Sequence, residues 1–530
     1  MPSAASCLPG PCGRMSGMTS VREDDQLEAL VPPTDEDPLA ASASEVIGGP
    51  LGRRAEISTH RWWNPLRVLV ILVIGMFALG MVQKLPCYNS GWFQPGDAQY
   101  IHACYSDIPH LFGGRGFSTG IVPYFDRIPD EVSTDFHYLE YPVLTGLFME
   151  VASWFTPDGG SEQHREQIYW LVNAGMLMVC AVALVVCVAR THRRRPWDAL
   201  LVALSPALAL SATINWDLFA VALTAGAMLM WSRSRPLAAG VLLGLATAAK
   251  LYPLLLLGAL FVLCLRAGRL RAFWTAVAGA VGAWLVVNLP VILLARDGWA
   301  KFYSFSQERR IDYGSIWLVI SQQTGKPLDG VNSYAVALML LLCAAIAGLA
   351  LYAPRRPRFA QLAFLVVAAI VVANKVYSPQ YVLWLLPLAV LARPRWRDFL
   401  VWQGSQVLYF LGIWMQLAYV TGGNKHHGLP QDGYHLAIVI HLLGTLYLCG
   451  VVVRDILLPE RDVVRWDGED DPSGGVLDGA PDVFVLGRAH EPRHAAPFTG
   501  MPVEWGVERH APAGQRPVEG GGAATAAETG

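Results

Sequence analysis

The sequence predicts an all-α polytopic membrane protein with about twelve transmembrane helices, a partial helix near 140–155, long external loops and disordered tails. Hydrophobic residues make up 53% of the 530 residues and charged residues only 15%, which is typical of membrane proteins. Apolar stretches recur from about 65 to 453, separated by short polar turns. Clusters of arginine interrupt these stretches, as expected where helices return to one side of a membrane.

The two ends of the chain differ from its middle. Residues 1–60 and 461–530 are rich in Gly, Ala, Pro, Ser and acidic residues, so we expect both to be disordered cytoplasmic tails flanking a membrane domain at 61–460. The first long apolar run begins near Leu66, too late for a removable leader, and we expect an uncleaved signal anchor. A net charge of −2 argues against a nucleic-acid partner.

The arginine clusters orient the predicted helices, because cytoplasmic loops are enriched in Lys and Arg. They lie at 53–61, 190–195, 233–235, 266–271, 355–358, 393–397 and 454. Two crossings fit each interval, at 65–83, 168–189, 198–213, 217–232, 236–249, 251–265, 273–295, 334–353, 359–373, 379–392, 399–420 and 433–453. This scheme predicts a multi-pass plasma-membrane protein with both tails cytoplasmic and with loops 84–139 and 296–333 external.

Residues 140–155 are apolar but do not fit as a complete crossing, which would invert every later loop. We expect a partial helix that is re-entrant or lies on the surface. Asp158, Glu162 and Glu166, which follow it, fit an external position.

Several predicted spans hold only 14–16 residues and reach ~21–24 Å, less than the roughly 30 Å of a hydrocarbon core. Three pairs of helices that include such a span meet at outward tips, at 215–217, 250–253 and 374–381. Ionisable residues below the membrane surface are normally functional or paired. For any single tip, an ordinary turn with a snorkelling lysine is the alternative. Three polar tips on the same outward side of the membrane favour a functional site over three unrelated turns.

The external loops supply acids and cations. Loop 84–139 contains Asp97, Asp107, Asp126, Asp130 and Asp135, and Glu140 follows it; loop 296–333 contains Lys301, Arg309 and Arg310. A carboxylate beside cations can deprotonate an acceptor hydroxyl while the cations neutralise a phosphate leaving group. Taken singly, most of these acids are expected to be solvated surface charges. No Walker A or Rossmann glycine pattern is present.

Cys87 and Cys104 are the cysteines of the first external loop, where oxidation is permitted. We predict a disulfide that brackets the approach to Asp107 and contributes on the order of 3 kcal/mol; two unpaired thiols are the alternative. No CxxC pair or His cluster indicates a metal site. The acidic loop leaves open whether a divalent ion takes part.

Six segments follow one another in a characteristic order: CYSDIPHLFGGRGF, YLEYPVLTGLF, NWDLFAVAL, AAKLYPLLLL, FSQERRIDYGSIW and NKVYSPQYVLWLLP. In this order they resemble the polyprenyl-phosphate-dependent glycosyltransferases of the C-type membrane superfamily. The resemblance is strongest to glycosyltransferase family 87, the actinobacterial-type mannosyltransferases, and spans about 65–453.

The resemblance implies particular site residues. The family places a catalytic Asp in the first external loop, and Asp107 is the matching position. Its Tyr-Pro-Pro motif corresponds to Glu140-Tyr141-Pro142-Val143, without the second proline, and Asn215 and Asp217 stand where relatives carry Asn-Gly-Gln. Lys250 and Arg310 match basic positions near the lipid phosphate.

The tips extend this set of residues. We add Lys375 to the predicted phosphate-binding cations. Asp97, Glu140, Tyr141, Asn215, Asp217, Tyr252, Gln380 and Tyr381 complete the predicted substrate pocket.

The implied function is transfer of a sugar, mannose in this family, from a polyprenyl-phosphate donor to an envelope glycolipid or glycan, with inversion and without a cofactor. The alternative is a transporter or flippase of lipid-linked envelope precursors, because polar residues in short, broken helices also form carrier sites. Carriers usually place such groups near the midplane and have two related halves, whereas these tips are external and the halves do not match. A structural component of an envelope assembly is a further alternative.

Overall fold

The computed structural model describes residues 37–46, 63–92, 96, 98–422, 427–466 and 468–486, and within these ranges all regular structure is helical. In chain order the α-helices are α1 (Pro38–Val46), α2 (Pro65–Gln83), α3 (Leu85–Ser90), α4 (Ala98–Ile101), α5 (Asp107–Gly114), α6 (Val143–Ser153), α7 (Glu162–Thr191), α8 (Leu200–Ala203), α9 (Pro206–Ser211), α10 (Asp217–Ser232), α11 (Pro236–Ala249), α12 (Leu256–Arg266), α13 (Leu270–Leu294), α14 (Arg296–Glu308), α15 (Ile316–Thr324), α16 (Val331–Tyr352), α17 (Phe359–Ala373), α18 (Val382–Ala392), α19 (Trp396–Thr421) and α20 (Gln431–Leu457). Short 3₁₀ helices occupy Phe117–Thr119, Pro196–Ala199, Tyr252–Leu255, Pro379–Tyr381, Pro459–Arg461, Val463–Arg465 and Gly475–Leu477.

Within the described part of the chain, five helices are long and apolar enough to cross a membrane: α2, α7, α13, α16 and α20. The protein is therefore an all-helical membrane protein, while the count of about twelve crossings stays a prediction. Helices α10, α11, α12, α17 and α18 hold 16, 14, 11, 15 and 11 residues. These short helices lie where the sequence predicted short spans.

The predicted span at 198–213 is not a single helix. The structure divides this stretch into the 3₁₀ helix Pro196–Ala199 and the short helices α8 and α9. Pro206 begins α9, and the Ser205 side chain caps it by accepting a hydrogen bond from the Leu208 amide. Because proline has no N–H and clashes with the preceding turn, a helix cannot continue through this position undisturbed.

Helices α11 and α13 pack closely through small residues. A Cβ atom at Gly240 or Gly244 would overlap the backbone of Ala276 or Ala280 on α13. Small residues four apart let two membrane helices approach closely enough for their backbones to touch. This contact holds the short α11, and with it the tip that starts at Lys250, against a long span.

Helix α7 connects the two ends of the membrane domain. Near its start, Gln167 donates to the Tyr88 carbonyl at 2.7 Å, and at its end Arg233 donates to the Arg190 carbonyl at 2.9 Å. Thirty residues of helix span ~45 Å. We call the end with the long loops the loop end and the opposite end the arginine end.

The three predicted tips and both long loops meet at the loop end. The Asp107 amide donates to the Ile214 carbonyl at 2.8 Å, and the Asp312 amide donates to the Lys375 carbonyl at 3.0 Å. Thr145 of α6 donates to the Ala249 carbonyl at 2.7 Å. With 11 residues and ~16 Å of length, α6 is the predicted partial helix.

The prediction of a disordered tail beginning at 461 is wrong for residues 461–486. Asp462 forms an ion pair with the fully buried Arg358 at 2.7 Å, and Asp482 pairs with Arg266 at 2.6 Å and with Arg356 at 2.8 Å. The prediction failed because the carboxylates that made the segment look soluble neutralise arginines of the helix turns. Residues 487–530 lie outside the described ranges.

The N-terminal tail needs a similar correction, because the predicted disordered region contains α1. Asp37 caps this helix by accepting from the Leu39 amide at 2.9 Å, and its other carboxylate oxygen accepts from the Trp396 amide at 2.8 Å. One carboxylate therefore joins α1 to the start of α19. Residues 1–36 and 47–62 lie outside the described ranges.

Candidate active site

Asp107 is the first residue of α5, and backbone contacts fix its position. Ser106 caps the helix and donates its hydroxyl to the Thr213 carbonyl at 2.7 Å. The Asp107 amide reaches the Ile214 carbonyl. The first loop is thereby attached to the tip at 213–217, and the Asp107 side chain is placed beside Asn215.

Both carboxylate oxygens of Asp107 accept hydrogen bonds. The Tyr105 hydroxyl donates to Oδ1 at 2.7 Å and the Asn215 amide donates to Oδ2 at 2.8 Å. Burial raises the pKa of Asp107 above its usual value, while these two hydrogen bonds and the charge of Lys250 oppose the rise. An ionised carboxylate has about four acceptor positions, so one more donor can be bound.

Asn215 joins Asp107 to the second part of the site. Its amide nitrogen also donates to the Tyr141 hydroxyl at 2.8 Å, which uses both N–H groups of the amide. The Tyr141 ring lies 5.4 Å from the Lys250 ammonium in a cation–π arrangement. A continuous series of contacts therefore connects the carboxylate to the lysine.

Lys250 forms an ion pair with Asp217, its Nζ lying 3.2 Å from Oδ1. The Trp384 indole donates to the same oxygen at 2.7 Å, and Asp217 is fully buried. The other oxygen of Asp217 has no hydrogen-bond partner among the described residues. Burying either the Lys250 or the Asp217 charge alone would cost free energy, and the ion pair offsets this cost.

Tyr252 and Tyr381 both stack on Trp384, with ring centroids 4.7 and 3.9 Å from it. Since the Trp384 indole binds Asp217, these aromatic rings lie next to the Lys250–Asp217 pair. Gln380 is buried beside it, and its side-chain oxygen accepts no hydrogen bond within the described part of the structure.

Glu140 belongs to a separate ion pair. Arg115 binds it through two hydrogen bonds of 2.7 and 2.6 Å, and the Arg115 guanidinium lies 3.7 Å from the Phe136 ring centroid. A bidentate pair of this kind fixes the loop before α6. Glu140 therefore lies next to Tyr141 with its carboxylate already occupied.

The remaining predicted cations have different surroundings. Lys375 donates to the Gln307 carbonyl at 3.2 Å and to the Asn332 side chain at 2.5 Å, and burial lowers its pKa. Arg310 is exposed and makes no hydrogen bond or ion pair with a described residue. Its neighbour Arg309 pairs with Asp312 at 2.6 Å.

Arg309 is a cation that the sequence did not single out for the site. Its guanidinium pairs with Asp312, whose amide donates to the Lys375 carbonyl at 3.0 Å, so Arg309 lies on the part of the second loop that meets the third tip. The sequence alone cannot tell which of two adjacent arginines faces a site. Here the course of the loop after α14 gives Arg309 and Arg310 different surroundings.

Tyr105, Lys84 and Trp384 were also missed. Tyr105 lies two residues before Asp107, close enough for the sequence to have suggested a contact. Lys84 and Trp384 are farther from Asp107 in sequence, and no local pattern indicates that they lie near the site. Asp97, also predicted for the pocket, lies outside the described residues.

The predicted cysteine pair is joined by a disulfide between Cys87 and Cys104, with the Cα atoms 5.7 Å apart. Among the described residues, no group of three or more His, Cys, Asp or Glu side chains is arranged to hold a metal ion.

Comparison with known proteins identifies a matching family model and a similar solved structure. Residues 138–374 match the model of glycosyltransferase family 87. A crystal structure of ArnT from Cupriavidus metallidurans bound to undecaprenyl phosphate is similar at 14% identity, covering 72% of this chain and 78% of that chain, with a TM-score of 0.37. No curated protein sequence matches. The resemblance to glycosyltransferase family 87 that the motifs predict is therefore confirmed, over residues 138–374.

Proposed function

We propose that the protein is a membrane glycosyltransferase that transfers a sugar, mannose, from a polyprenyl-phosphate donor to an envelope glycolipid or glycan, with Asp107 as the general base. The observation that carries this proposal is the continuous set of contacts from Asp107 through Asn215 and Tyr141 to Lys250. These contacts place a carboxylate and a cation together at the loop end of a protein that matches the model of a glycosyltransferase family.

In the proposed reaction the acceptor hydroxyl donates its proton to Asp107 as its oxygen attacks the anomeric carbon of the donor sugar. The bond from that carbon to the phosphate oxygen breaks, and polyprenyl phosphate leaves with the electron pair. Attack on the face opposite the phosphate inverts the anomeric centre. A positioned base of this kind typically contributes ~10²–10⁴-fold in rate.

The cations of the site suit the leaving phosphate. Lys250, Arg310 and Lys375 are proposed to bind it, because ammonium and guanidinium groups donate charge-assisted hydrogen bonds to phosphate oxygens. Arg310 is exposed and makes no hydrogen bond or ion pair with a described residue, so its guanidinium is available to a ligand. Arg309 is a further candidate, because its partner Asp312 is hydrogen-bonded to the backbone of Lys375.

The test is transfer by the purified protein. We expect labelled mannose to pass from polyprenyl-phosphate-mannose to acceptors extracted from the envelope, and no transfer from a nucleotide sugar. Flipping of the labelled lipid donor in proteoliposomes without any glycosidic product would instead support the transporter alternative. A strain lacking the protein should lose a specific mannosylated envelope component on mass analysis.

We further propose that the loop end faces outward and both tails face the cytoplasm, since the arginine end matches the positive-inside pattern. A reporter fused after Gly330 should be active only outside the cytoplasm. Cytoplasmic activity at that position would overturn this orientation.

A further inference from the structure

The end of α2 is bonded to the four residues that lead to Asp107. Gln83 donates from Nε2 to the carbonyls of His102 at 3.2 Å and Ala103 at 2.8 Å. Lys84 donates from Nζ to the Tyr105 carbonyl at 3.0 Å. Between these bonds lies the disulfide from Cys87 to Cys104. Residues 102–105 are therefore held at every position, three by a backbone carbonyl and one by a covalent bond.

The held segment adopts a backbone conformation that needs support. Ala103 has φ 51°, in the left-handed region that is unfavourable for a residue with a Cβ. Such conformations persist where the surroundings over-determine them, and they cluster at functional sites. Gln83 and the disulfide at the next residue supply that support on both sides of Ala103.

Lys84 is the cation among these groups, and its side chain is fully buried. Burial lowers its pKa to about 7, against the opposing influence of the negative charge of Asp107. A lysine retained in a buried position is costly unless it has a partner or a function. Its ammonium is held by the Tyr105 carbonyl and lies over the Phe410 ring at 5.7 Å.

Tyr105 connects Lys84 to Asp107. Its carbonyl is fixed by Lys84, and its hydroxyl donates to Asp107 Oδ1. Its ring lies against those of His110 and Trp414, both with centroids 5.0 Å away. Because both the backbone and the ring of Tyr105 are held, the position of its hydroxyl oxygen beside Asp107 is fixed.

On the basis of the proposed function, we infer that Gln83, Lys84 and the Cys87–Cys104 disulfide form a clamp that positions the general base Asp107 through Tyr105. None of the three clamp groups needs to touch substrate, so they are positioning residues. They set the distance and direction of the carboxylate, and Lys84 in addition places a positive charge near it.

The charge gives the clamp an effect that a purely mechanical support would lack. The charged and titratable groups around Asp107 are Lys84, Lys250, Asp217, Tyr100, Tyr105 and Tyr141. A nearby cation favours the ionised carboxylate. Removing the charge of Lys84 raises the pKa of Asp107, so the acid limb of the pH–rate profile moves to higher pH.

Two clamp variants test this inference. In Lys84→Met the chain keeps its apolar length but loses the charge and the donor; kcat should fall by about 10-fold to 100-fold, as expected for a misplaced group. The KM for the donor should be unchanged, and the acid limb should move to higher pH. Gln83→Met should also lower kcat, but without moving the acid limb, because glutamine is neutral.

The matched control is Lys326→Met, an exposed lysine of the second loop, which should keep kcat, KM and the pH profile. Wild-type kcat together with an unmoved acid limb in Lys84→Met would overturn the clamp. Recovery of most of the lost kcat in Lys84→Arg, which restores a charged donor, would support it.

Amide hydrogen exchange separates failure of the clamp from failure of the proposed function, because it needs no catalysis. Exchange at residues 102–107 should be faster in Lys84→Met than in the wild type and unchanged in Lys326→Met. If the wild type transfers no sugar while exchange accelerates, the proposed function is wrong and the clamp still holds the segment. Unchanged exchange in Lys84→Met would refute the clamp.

Discussion

The Asn215 side chain donates a hydrogen bond to the Asp107 carboxylate at 2.8 Å, across 108 positions of sequence. The first external loop and a tip between two short helices thus share one functional group. The second N–H of the same amide holds Tyr141. Predictions about the base therefore concern this tip as much as the loop that carries Asp107.

The first prediction concerns the base itself. Asp107→Asn keeps the shape of the side chain and can still accept from Tyr105, but it cannot take up a proton. The rate of transfer should fall by ~10²–10⁴-fold, while membrane insertion stays normal. Asp97→Asn serves as the comparison and should retain much more activity. Full turnover by purified Asp107→Asn would remove this residue from the mechanism.

The second prediction concerns pH. Burial raises the pKa of Asp107, and only the ionised carboxylate can act as base, so activity is present above that pKa and is lost as the pH falls through it. The Tyr105 hydrogen bond lowers the pKa. Tyr105→Phe should therefore move the acid limb of the kcat profile to higher pH. An acid limb at the wild-type position would mean that this hydrogen bond does not control ionisation.

The third prediction separates structure from binding at Lys250. Lys250→Met leaves the buried Asp217 unpaired, which should cost about 3–5 kcal/mol of stability. Adding Asp217→Asn removes the unpaired charge and should restore the thermal unfolding temperature. Because the ammonium is still absent, the donor KM of the double variant should stay raised. A double variant with normal donor KM would limit Lys250 to a structural role.

The fourth prediction compares two adjacent arginines. Arg310→Ala should raise the donor KM with no change in unfolding temperature, because the side chain is exposed and makes no hydrogen bond or ion pair with a described residue. Arg309→Ala should lower the unfolding temperature slightly, since it releases Asp312. Normal donor KM in Arg310→Ala together with a raised KM in Arg309→Ala would assign phosphate binding to Arg309.

The fifth prediction concerns the arginine end. Asp462→Ala leaves the buried Arg358 without its carboxylate partner and should destabilise the fold by about 3–5 kcal/mol, measured as thermal unfolding in detergent. Glu460→Ala, two residues earlier and exposed, is the matched control and should unfold at the wild-type temperature. Equal unfolding temperatures for the two variants would show that the segment 461–486 contributes little to stability.

The sequence by itself determined the membrane class, the clustering of arginines at the turns opposite the long loops, and the shortness of the helices that carry the tips. These properties are encoded locally, because hydropathy, helix length and charge are read from consecutive residues. The helix tips and the resemblance to glycosyltransferase family 87 predicted Asp107, Asn215, Tyr141, Lys250 and Asp217 as site residues, and the structure brings these five side chains together. The sequence also paired Cys87 with Cys104, because they are the cysteines of one external loop.

The tertiary structure decided which of these groups touch. Lys250 pairs with Asp217, Glu140 with Arg115, and Lys84 reaches the residues before Asp107. It also decided that the acidic segment 461–486 is folded. Composition indicates how soluble a segment is by itself. Whether its charges can be buried depends on opposite charges that the fold brings close. The partners that make such burial possible lie up to 216 residues away in sequence, as for Arg266 and Asp482, and no local pattern contains them.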